Sequence, residues 1–321
     1  ILTDQHHPAY LGCLGHPQLR TPHLDTLAAE SEVFRAAYTP SPICGPARAS
    51  LFTGQYPLEH GVCTNWVLIQ DESALLTNRL AAAGYRNALV GKLHLSPIAD
   101  MHGFHWRRIC DSPHDLYDPD EVRVNDYLQW VAGELGLSVP ELAERGGASE
   151  HCGPEDPCFW EGWRWVEEAH QMTTWTGQEA ATFLRQYDRD EPFFLNVSFF
   201  GPHHPYATCA PWDSLYDPEK MSLPETLQTP SPPDQNGCRF DWPEEVWRRM
   251  IAKYCGNISA IDDHIGRLLA ALRDTGQWEN TLIVFSADHG DHMGDYAMLG
   301  KGTMIESSVG IPLLIKPPGP R

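Results

Sequence analysis

The feature that most constrains the fold is a set of short apolar runs separated by helical patterns. Runs with strand character occur at residues 86–90, 193–199, 281–287 and 311–315. Residues 1–3 resemble the second half of a further strand. Because strands that alternate with helices are typical of βαβ units, we expect an α/β fold with a mostly parallel central sheet flanked by helices.

Two helices can be predicted from their apolar spacing and end signals. The clearer one runs from about residue 243 to residue 274, and Gly276 is expected to end it. An earlier helix is predicted to start at Pro22, with Thr21 as its capping residue. The long helix has one apolar stripe with alternating spacings of four and three residues, formed by Tyr254, Ile258, Ile261, Ile265, Leu268 and Leu272.

The pattern breaks down between about residues 105 and 176. This stretch is rich in Asp, Pro and His and contains a tryptophan cluster formed by Trp160, Trp163, Trp165 and Trp175. It is too long for a bare loop in a compact domain, so we interpret it as an irregular insertion beside the sheet. The tryptophans either line a pocket there or only pack the insertion, and the sequence favours neither.

The chain is expected to be one domain over residues 1–321. It begins with Ile1 inside a strand-like run and stops at Arg321, just after another. We therefore expect a piece of a longer protein that is truncated at both ends.

Composition excludes several classes of protein. The formal net charge of −20 repels nucleic acid and anionic membranes, and no apolar run approaches the ~18 residues of a membrane-spanning helix. Nine cysteines lack a CxxC pair or zinc-finger spacing, so free thiols are favoured, with one or two disulfides as the alternative. An anionic substrate would need a local cluster of basic groups. The sequence does not indicate an oligomeric state or a cellular compartment.

Polar side chains with catalytic potential follow four of the five predicted strands. Asp4 and Gln5 follow the first strand, and Asp288 and His289 follow residues 281–287. The other two strands are followed by Lys92 and His94, and by His203 and His204. Since ligands of α/β sheets bind beyond the carboxyl ends of the strands, we expect these groups at one edge of the sheet.

The sharpest local signal lies between residues 41 and 54. Pro46 suits the first turn of a helix and Gly54 suits its end, so Cys44 should lie just before a helix N-terminus. Backbone N–H groups and the helix dipole favour negative charge at that point. Arg48, one turn further on, could reach back to it. The segment thus combines a nucleophile with an anion site.

Cys44, Pro46 and Arg48 form a Cys-x-Pro-x-Arg motif, which resembles the signature of the type I sulfatases of the alkaline phosphatase superfamily. Other elements occur in the family's order: Gly-Lys-x-His at Lys92 and His94, Pro-His-x-Pro-aromatic at His203, and a second lysine at Lys301. The Asp-Gln and Asp-His-Gly-Asp forms around Asp4 and Asp288 are most similar to the branch of choline-sulfatases and phosphonate monoester hydrolases.

The resemblance implies a modified nucleophile and a divalent cation. A maturation enzyme would oxidise Cys44 to formylglycine, whose hydrate attacks the sulfur of a sulfate ester. The cation would be Ca²⁺ before Mg²⁺ or Mn²⁺, because the ligands are mainly oxygen atoms. The family usually has a smaller C-terminal subdomain, which we expect to be absent here. The expected metal ligands are Asp4, Gln5, the modified Cys44, Asp288 and His289.

The remaining roles follow from the same resemblance. Lys92, Lys301 and Arg48 would neutralise charge on the sulfuryl oxygens or hold the hydrate. His203 would protonate the leaving oxygen, and His94 would accept the proton of the second hydroxyl group. Two alternatives remain open: a phosphonate monoester or phosphodiester hydrolase with the same site, and a non-catalytic relative that binds anions with unmodified Cys44.

Overall fold

The computed structural model describes residues 1–111, 119–146, 166–206, 208–232 and 239–319. Within these residues, seven strands form one sheet in the order β2-β7-β6-β1-β5-β3-β4. Strands β6, β1, β5, β3 and β4 run parallel, whereas β7 is antiparallel to both β6 and β2. The strands are β1 (Leu2–Asp4), β2 (Glu32–Tyr38), β3 (Arg86–Gly91), β4 (Trp106–Ile109), β5 (Phe193–Pro202), β6 (Ile283–Ala287) and β7 (Gly310–Lys316).

The sheet confirms the predicted α/β class and all the predicted strands. It also contains β2 and β4, which the sequence analysis missed. Both are edge strands, and most of the side chains of β2 are exposed, so neither shows a continuous apolar run.

Helices lie on both faces of the sheet. One face packs against α1, α8 and α9 through a core that includes Leu24, Phe199 and Ile265. The other face packs against α2 through Phe52 and Leu89. The helices are α1 (Pro22–Ala29), α2 (Cys44–Thr53), α3 (Pro57–His60), α4 (Leu76–Ala82), α5 (Pro119–Val124), α6 (Asp126–Leu135), α7 (Val139–Gly146), α8 (Met172–Gln186), α9 (Glu244–Asp274) and α10 (Glu306–Val309).

Helix α9 follows its predicted stripe. All six stripe residues, from Tyr254 to Leu272, are buried, and Gly276 lies just beyond the helix end with a φ of 71°. Burial of each such side chain contributes about 1.5–3 kcal/mol relative to exposure, which explains why the stripe faces the core.

Helix α1 begins at Pro22 as predicted, but Thr21 does not cap it. The Thr21 hydroxyl donates to Asp25 instead, at 3.0 Å. The carboxylate of Asp262, on α9, accepts the first-turn N–H groups of His23 at 3.1 Å and Leu24 at 2.7 Å. The sequence predicted that the adjacent Thr21 would cap α1, but Asp262 on a distant helix takes this role.

The stretch predicted as an irregular insertion is largely regular where it is described. Its first residues form β4, and α5, α6 and α7 follow. Trp175, on α8, is buried against Tyr127 and Val131, which favours the packing interpretation for that tryptophan. Trp160, Trp163 and Trp165 lie outside the described residues.

Neither disulfides nor membrane spans occur in the part of the chain that the structure covers. The cysteines there, at positions 13, 44, 63, 110, 209 and 255, are free thiols. No helix there has the length and apolar character needed to cross a bilayer.

Candidate active site

The carboxyl ends of four parallel strands meet at one edge of the sheet. Central β1 pairs with β5 on one side and β6 on the other, and β5 pairs with β3. Asp4 and Gln5 therefore lie between the segments that carry His203 and Asp288, with Lys92 one strand further along. The structure confirms the expected convergence of these strand ends.

Cys44 is the first residue of α2, whereas the sequence analysis placed it just before the start of the helix. The neighbouring Gly45 N–H donates to the Asn65 side chain at 2.9 Å, and Gly54 ends the helix in the left-handed conformation with a φ of 69°. The Cys44 side chain is buried, with 1% of its surface exposed. Asn65 was not identified from the sequence, because its position matches no motif used there.

Three other buried side chains lie close to the Cys44 sulfur. One ligand atom from each of Asp4, Cys44, Asp288 and His289 lies within 4.8 Å of the others. The Cys44 Sγ atom is 3.1 Å from His289 Nε2 and 3.6 Å from Asp4 Oδ1. His289 Nε2 is 3.7 Å from a carboxylate oxygen of each aspartate.

The donor set fits a divalent cation. His289 Nδ1 is 2.9 Å from the carbonyl oxygen of Gly290, which favours a proton on Nδ1 and leaves Nε2 as the ligand nitrogen. Gln5 Oε1 is buried and accepts no hydrogen bond from the residues that the structure describes, as expected for an oxygen that binds a ligand. Two carboxylates, an amide oxygen and an imidazole suit an ion that prefers oxygen ligands, with some tolerance for nitrogen.

Arg48 contacts the carboxylates of this cluster. Its guanidinium donates to Asp288 Oδ2 at 2.8 Å and to Asp4 Oδ2 at 3.1 Å. Further bonds reach the Lys92 carbonyl at 2.8 Å and the Ser198 hydroxyl at 3.0 Å. Although burial disfavours its charge, the two carboxylates hold the pKa of Arg48 above its usual value. The guanidinium therefore holds the two aspartates in place.

Lys92 and Lys301 provide positive charge from two sides. Lys92 Nζ is 2.7 Å from Asp4 Oδ2, and Lys301 Nζ is 2.8 Å from the Cys44 sulfur. Burial alone would raise the pKa of the Cys44 thiol, but Lys301, Lys92 and His289 outweigh it and hold this pKa well below its usual value. The site thus stabilises an anion at the side chain of residue 44.

The two predicted acid–base histidines differ in their surroundings. His203 Nε2 is 2.8 Å from Lys301 Nζ, and its Nδ1 is 2.6 Å from the His204 carbonyl oxygen. Burial and the charge of Lys301 lower the pKa of His203. His94 contacts the ring of Trp66, with 6.1 Å between centroids, and neither of its buried ring nitrogens has a hydrogen-bond partner among the described residues. The structure therefore brings His203 to Cys44 and Lys301, but joins His94 to neither.

Further residues support the site without having been predicted. Asp111 accepts the N–H groups of Leu93 at 3.2 Å and His94 at 2.9 Å, which fixes the segment after β3. Asp291 accepts hydrogen bonds from the Gln5 side chain and from the backbone N–H of Gly300, which precedes Lys301. Asp291 belongs to the Asp-His-Gly-Asp motif noted in the sequence, but the motif alone gave it no role.

Known proteins are similar in sequence to nearly the whole of this chain. An arylsulfatase of Clostridium perfringens is 31% identical over 341 residues, which cover 99% of this chain and 68% of the relative. A choline-sulfatase of Rhizobium meliloti is 31% identical over 319 residues, which cover 94% of this chain and 58% of the relative. The chain therefore spans about three fifths to two thirds of the length of these relatives.

A solved structure and a family model agree with these relatives. The crystal structure of the phosphonate monoester hydrolase of Agrobacterium radiobacter superposes with a TM-score of 0.77 at 25% identity, covering 98% of this chain and 66% of that one. The family model described as Sulfatase matches residues 1–320. On these grounds, the chain belongs to the Sulfatase family.

Proposed function

We propose that the protein hydrolyses a sulfate ester, using a formylglycine derived from Cys44 and one divalent cation. The observation that carries this proposal is the position of the Cys44 sulfur, 2.8 Å from Lys301 Nζ and 3.1 Å from His289 Nε2. A nucleophile held among cationic and metal-ligating groups suits attack on an oxygen-rich anionic centre. The sulfatase names of the two curated relatives support the same substrate class.

Asp4, Gln5, Asp288 and His289 would hold the cation together with the side chain at position 44. When bound, the cation would supply a positive charge that makes a hydroxyl group of residue 44 easier to deprotonate. Ca²⁺ remains the first choice because most of these ligands are oxygen atoms, with Mg²⁺ and Mn²⁺ as alternatives. Arg48 would keep the two aspartates in place.

The protein's own residues would move two protons. One hydroxyl group of the hydrated residue 44 loses its proton to solvent, its oxygen attacks sulfur, and the bond from sulfur to the leaving oxygen breaks. His203 gives that oxygen a proton, after the negative charge of the substrate has raised the lowered pKa of this histidine. His94 then takes the proton of the second hydroxyl group, the bond between residue 44 and the sulfate oxygen breaks, and the aldehyde re-forms.

A phosphonate monoester or phosphodiester is the second candidate substrate. The superposition on a phosphonate monoester hydrolase favours it, because a tetrahedral phosphoryl centre would meet the same charges. An unmodified, non-catalytic anion-binding protein is the third candidate.

One experiment tests all three candidates. The protein is produced with and without a formylglycine-generating enzyme, the peptide containing residue 44 is analysed by mass spectrometry, and rates are measured on aryl sulfate, choline sulfate and an aryl phosphonate. Conversion of Cys44 with the highest kcat/KM on a sulfate supports the proposal, and Cys44→Ala should abolish turnover. A higher kcat/KM on the phosphonate supports the second candidate. An intact thiol and no turnover in the co-produced protein supports the third.

A further inference from the structure

The carboxylate of Asp291 is fully buried and accepts four hydrogen bonds. Its Oδ2 atom accepts from Gln5 Nε2 and from the Tyr206 hydroxyl, both at 2.6 Å. Its Oδ1 atom accepts from the backbone N–H of Met293 at 2.9 Å and of Gly300 at 3.0 Å. Because all four partners donate, the side chain must present acceptors on both oxygens.

This arrangement fixes the orientation of the Gln5 side-chain amide, with its NH2 group toward Asp291. The Nε2 atom is bound to Asp291, so Oε1 lies on the other side of the amide, buried and without a donor among the described residues. The backbone of Gln5 is fixed as well: its N–H donates to Asp288 at 3.1 Å, and its carbonyl accepts from Tyr254 at 2.6 Å. Gln5 also has a φ of 62°, a conformation that a non-glycine residue holds only when its surroundings enforce it.

We propose that Asp291 is a positioning residue that turns the Gln5 amide so that its oxygen, and not its NH2 group, faces the cation. The inference rests on the proposed role of Gln5 as a metal ligand. Gly300 precedes Lys301, so the same carboxylate also anchors the loop that brings a lysine to Cys44. One buried side chain thereby links a ligand that directly follows β1 to a cationic group on a loop near the other end of the chain.

Replacing Asp291 with asparagine tests the orientation directly. In the Asp291→Asn variant, the side-chain oxygen would stay with the two backbone N–H groups, because these need an acceptor. The new NH2 group would then face Gln5 Nε2, which is also a donor. The Gln5 amide would have to flip to present Oε1 to it, which would turn an NH2 group toward the cation. Loss of a residue that orients a metal ligand by a hydrogen bond typically weakens metal binding ~10–100-fold.

A second substitution at position 5 should reverse the loss. With Gln5→Glu and Asp291→Asn together, one glutamate oxygen accepts from the new amide and the other remains available to the cation. In Gln5→Glu alone, the new carboxylate faces the carboxylate of Asp291. Asp291 then offers no donor that could orient it. We expect the double variant to bind metal at least about tenfold more tightly than Asp291→Asn alone.

The measurement is calorimetric titration of the full chain, stripped of metal, with Ca²⁺ and separately with Mn²⁺. Asp262→Asn is the matched control, because Asp262 is also a buried carboxylate that accepts two backbone N–H groups, away from the site. It should lower thermal stability without changing metal affinity. No substrate is used, so the outcome is independent of whether the enzyme prefers sulfate or phosphonate esters.

Wild-type affinity in Asp291→Asn, or a double variant that binds no more tightly than Asp291→Asn, would overturn the proposal. If Asp291→Asn does not fold, the comparison moves to Gln5→Glu. Tighter binding by the double variant than by Gln5→Glu supports the proposal, and weaker or equal binding refutes it. A chain in which even the wild type binds neither ion would contradict the metal assignment itself.

Discussion

Substitution of Arg48 by methionine should destabilise the fold far more than an ordinary surface change. Arg48, Asp4 and Asp288 have no exposed side-chain surface, and the guanidinium bridges the two carboxylates at 3.1 and 2.8 Å. Methionine has a similar volume but no charge, so two buried carboxylates would lose a partner. Breaking a buried ion pair in this way costs about 3–5 kcal/mol.

The chain offers a matched control at the surface. Arg108 also bridges two carboxylates, those of Asp126 at 3.1 Å and Glu179 at 3.0 Å, but about a third of each side chain is exposed. Solvent screens such pairs, so Arg108→Met should cost about 1 kcal/mol or less. Both variants remove a double ion pair, which is buried for Arg48 and partly exposed for Arg108; Arg48→Met also removes the bonds to the Lys92 carbonyl and the Ser198 hydroxyl.

Both variants and the wild type are unfolded in urea, with a chelator present so that no metal is bound. Tryptophan fluorescence then gives the free energy of unfolding of each protein. We expect Arg48→Met to lose at least about 2 kcal/mol more than Arg108→Met. If the two free energies of unfolding agree within about 1 kcal/mol, the interpretation of Arg48 as the brace of this site is wrong.

Three further predictions concern proton transfer, metal binding and pH. His203→Ala should slow substrates with poor leaving groups much more than activated aryl esters; equal losses in kcat/KM would remove His203 from the acid role. Asp288→Asn should weaken Ca²⁺ binding and turnover together, and a variant with unchanged affinity and rate would contradict the ligand assignment. Burial and the charge of Arg267 lower the pKa of His264 to about 4. The unfolded chain binds this proton first, so unfolding free energy should fall by up to about 3 kcal/mol as pH falls from about 6.5 to about 4, and His264→Gln should flatten the curve of urea midpoint against pH.

The sequence was most informative where a residue's role depends on its own strand or helix. Strand ends and the alternating spacing along α9 are local patterns, and they predicted the sheet edge and the buried stripe correctly. The pattern around residues 44–54 predicted α2 to within one residue at its start.

Features that depend on distant partners could not be predicted in the same way. Asp262 caps α1 from a helix about 240 positions away, and Arg48 contacts carboxylates on β1 and after β6. Asp291 lies inside a recognised motif, but its bond to Gln5 exists only once β1 and β6 are adjacent. Edge strand β2 was missed because Arg35 interrupts its apolar residues, so no continuous apolar run marks it.

The placement of β1 has a consequence for synthesis. This central strand is made before its neighbour β6, which follows about 280 residues later, and Gln5 bonds Asp288 across that separation. Contacts this distant form slowly, because a long loop must close before they can contribute. A ribosome-bound chain that has not yet extruded residues 283–301 lacks the groups that enclose the sulfur of residue 44. During that interval the thiol is open to any enzyme that modifies it.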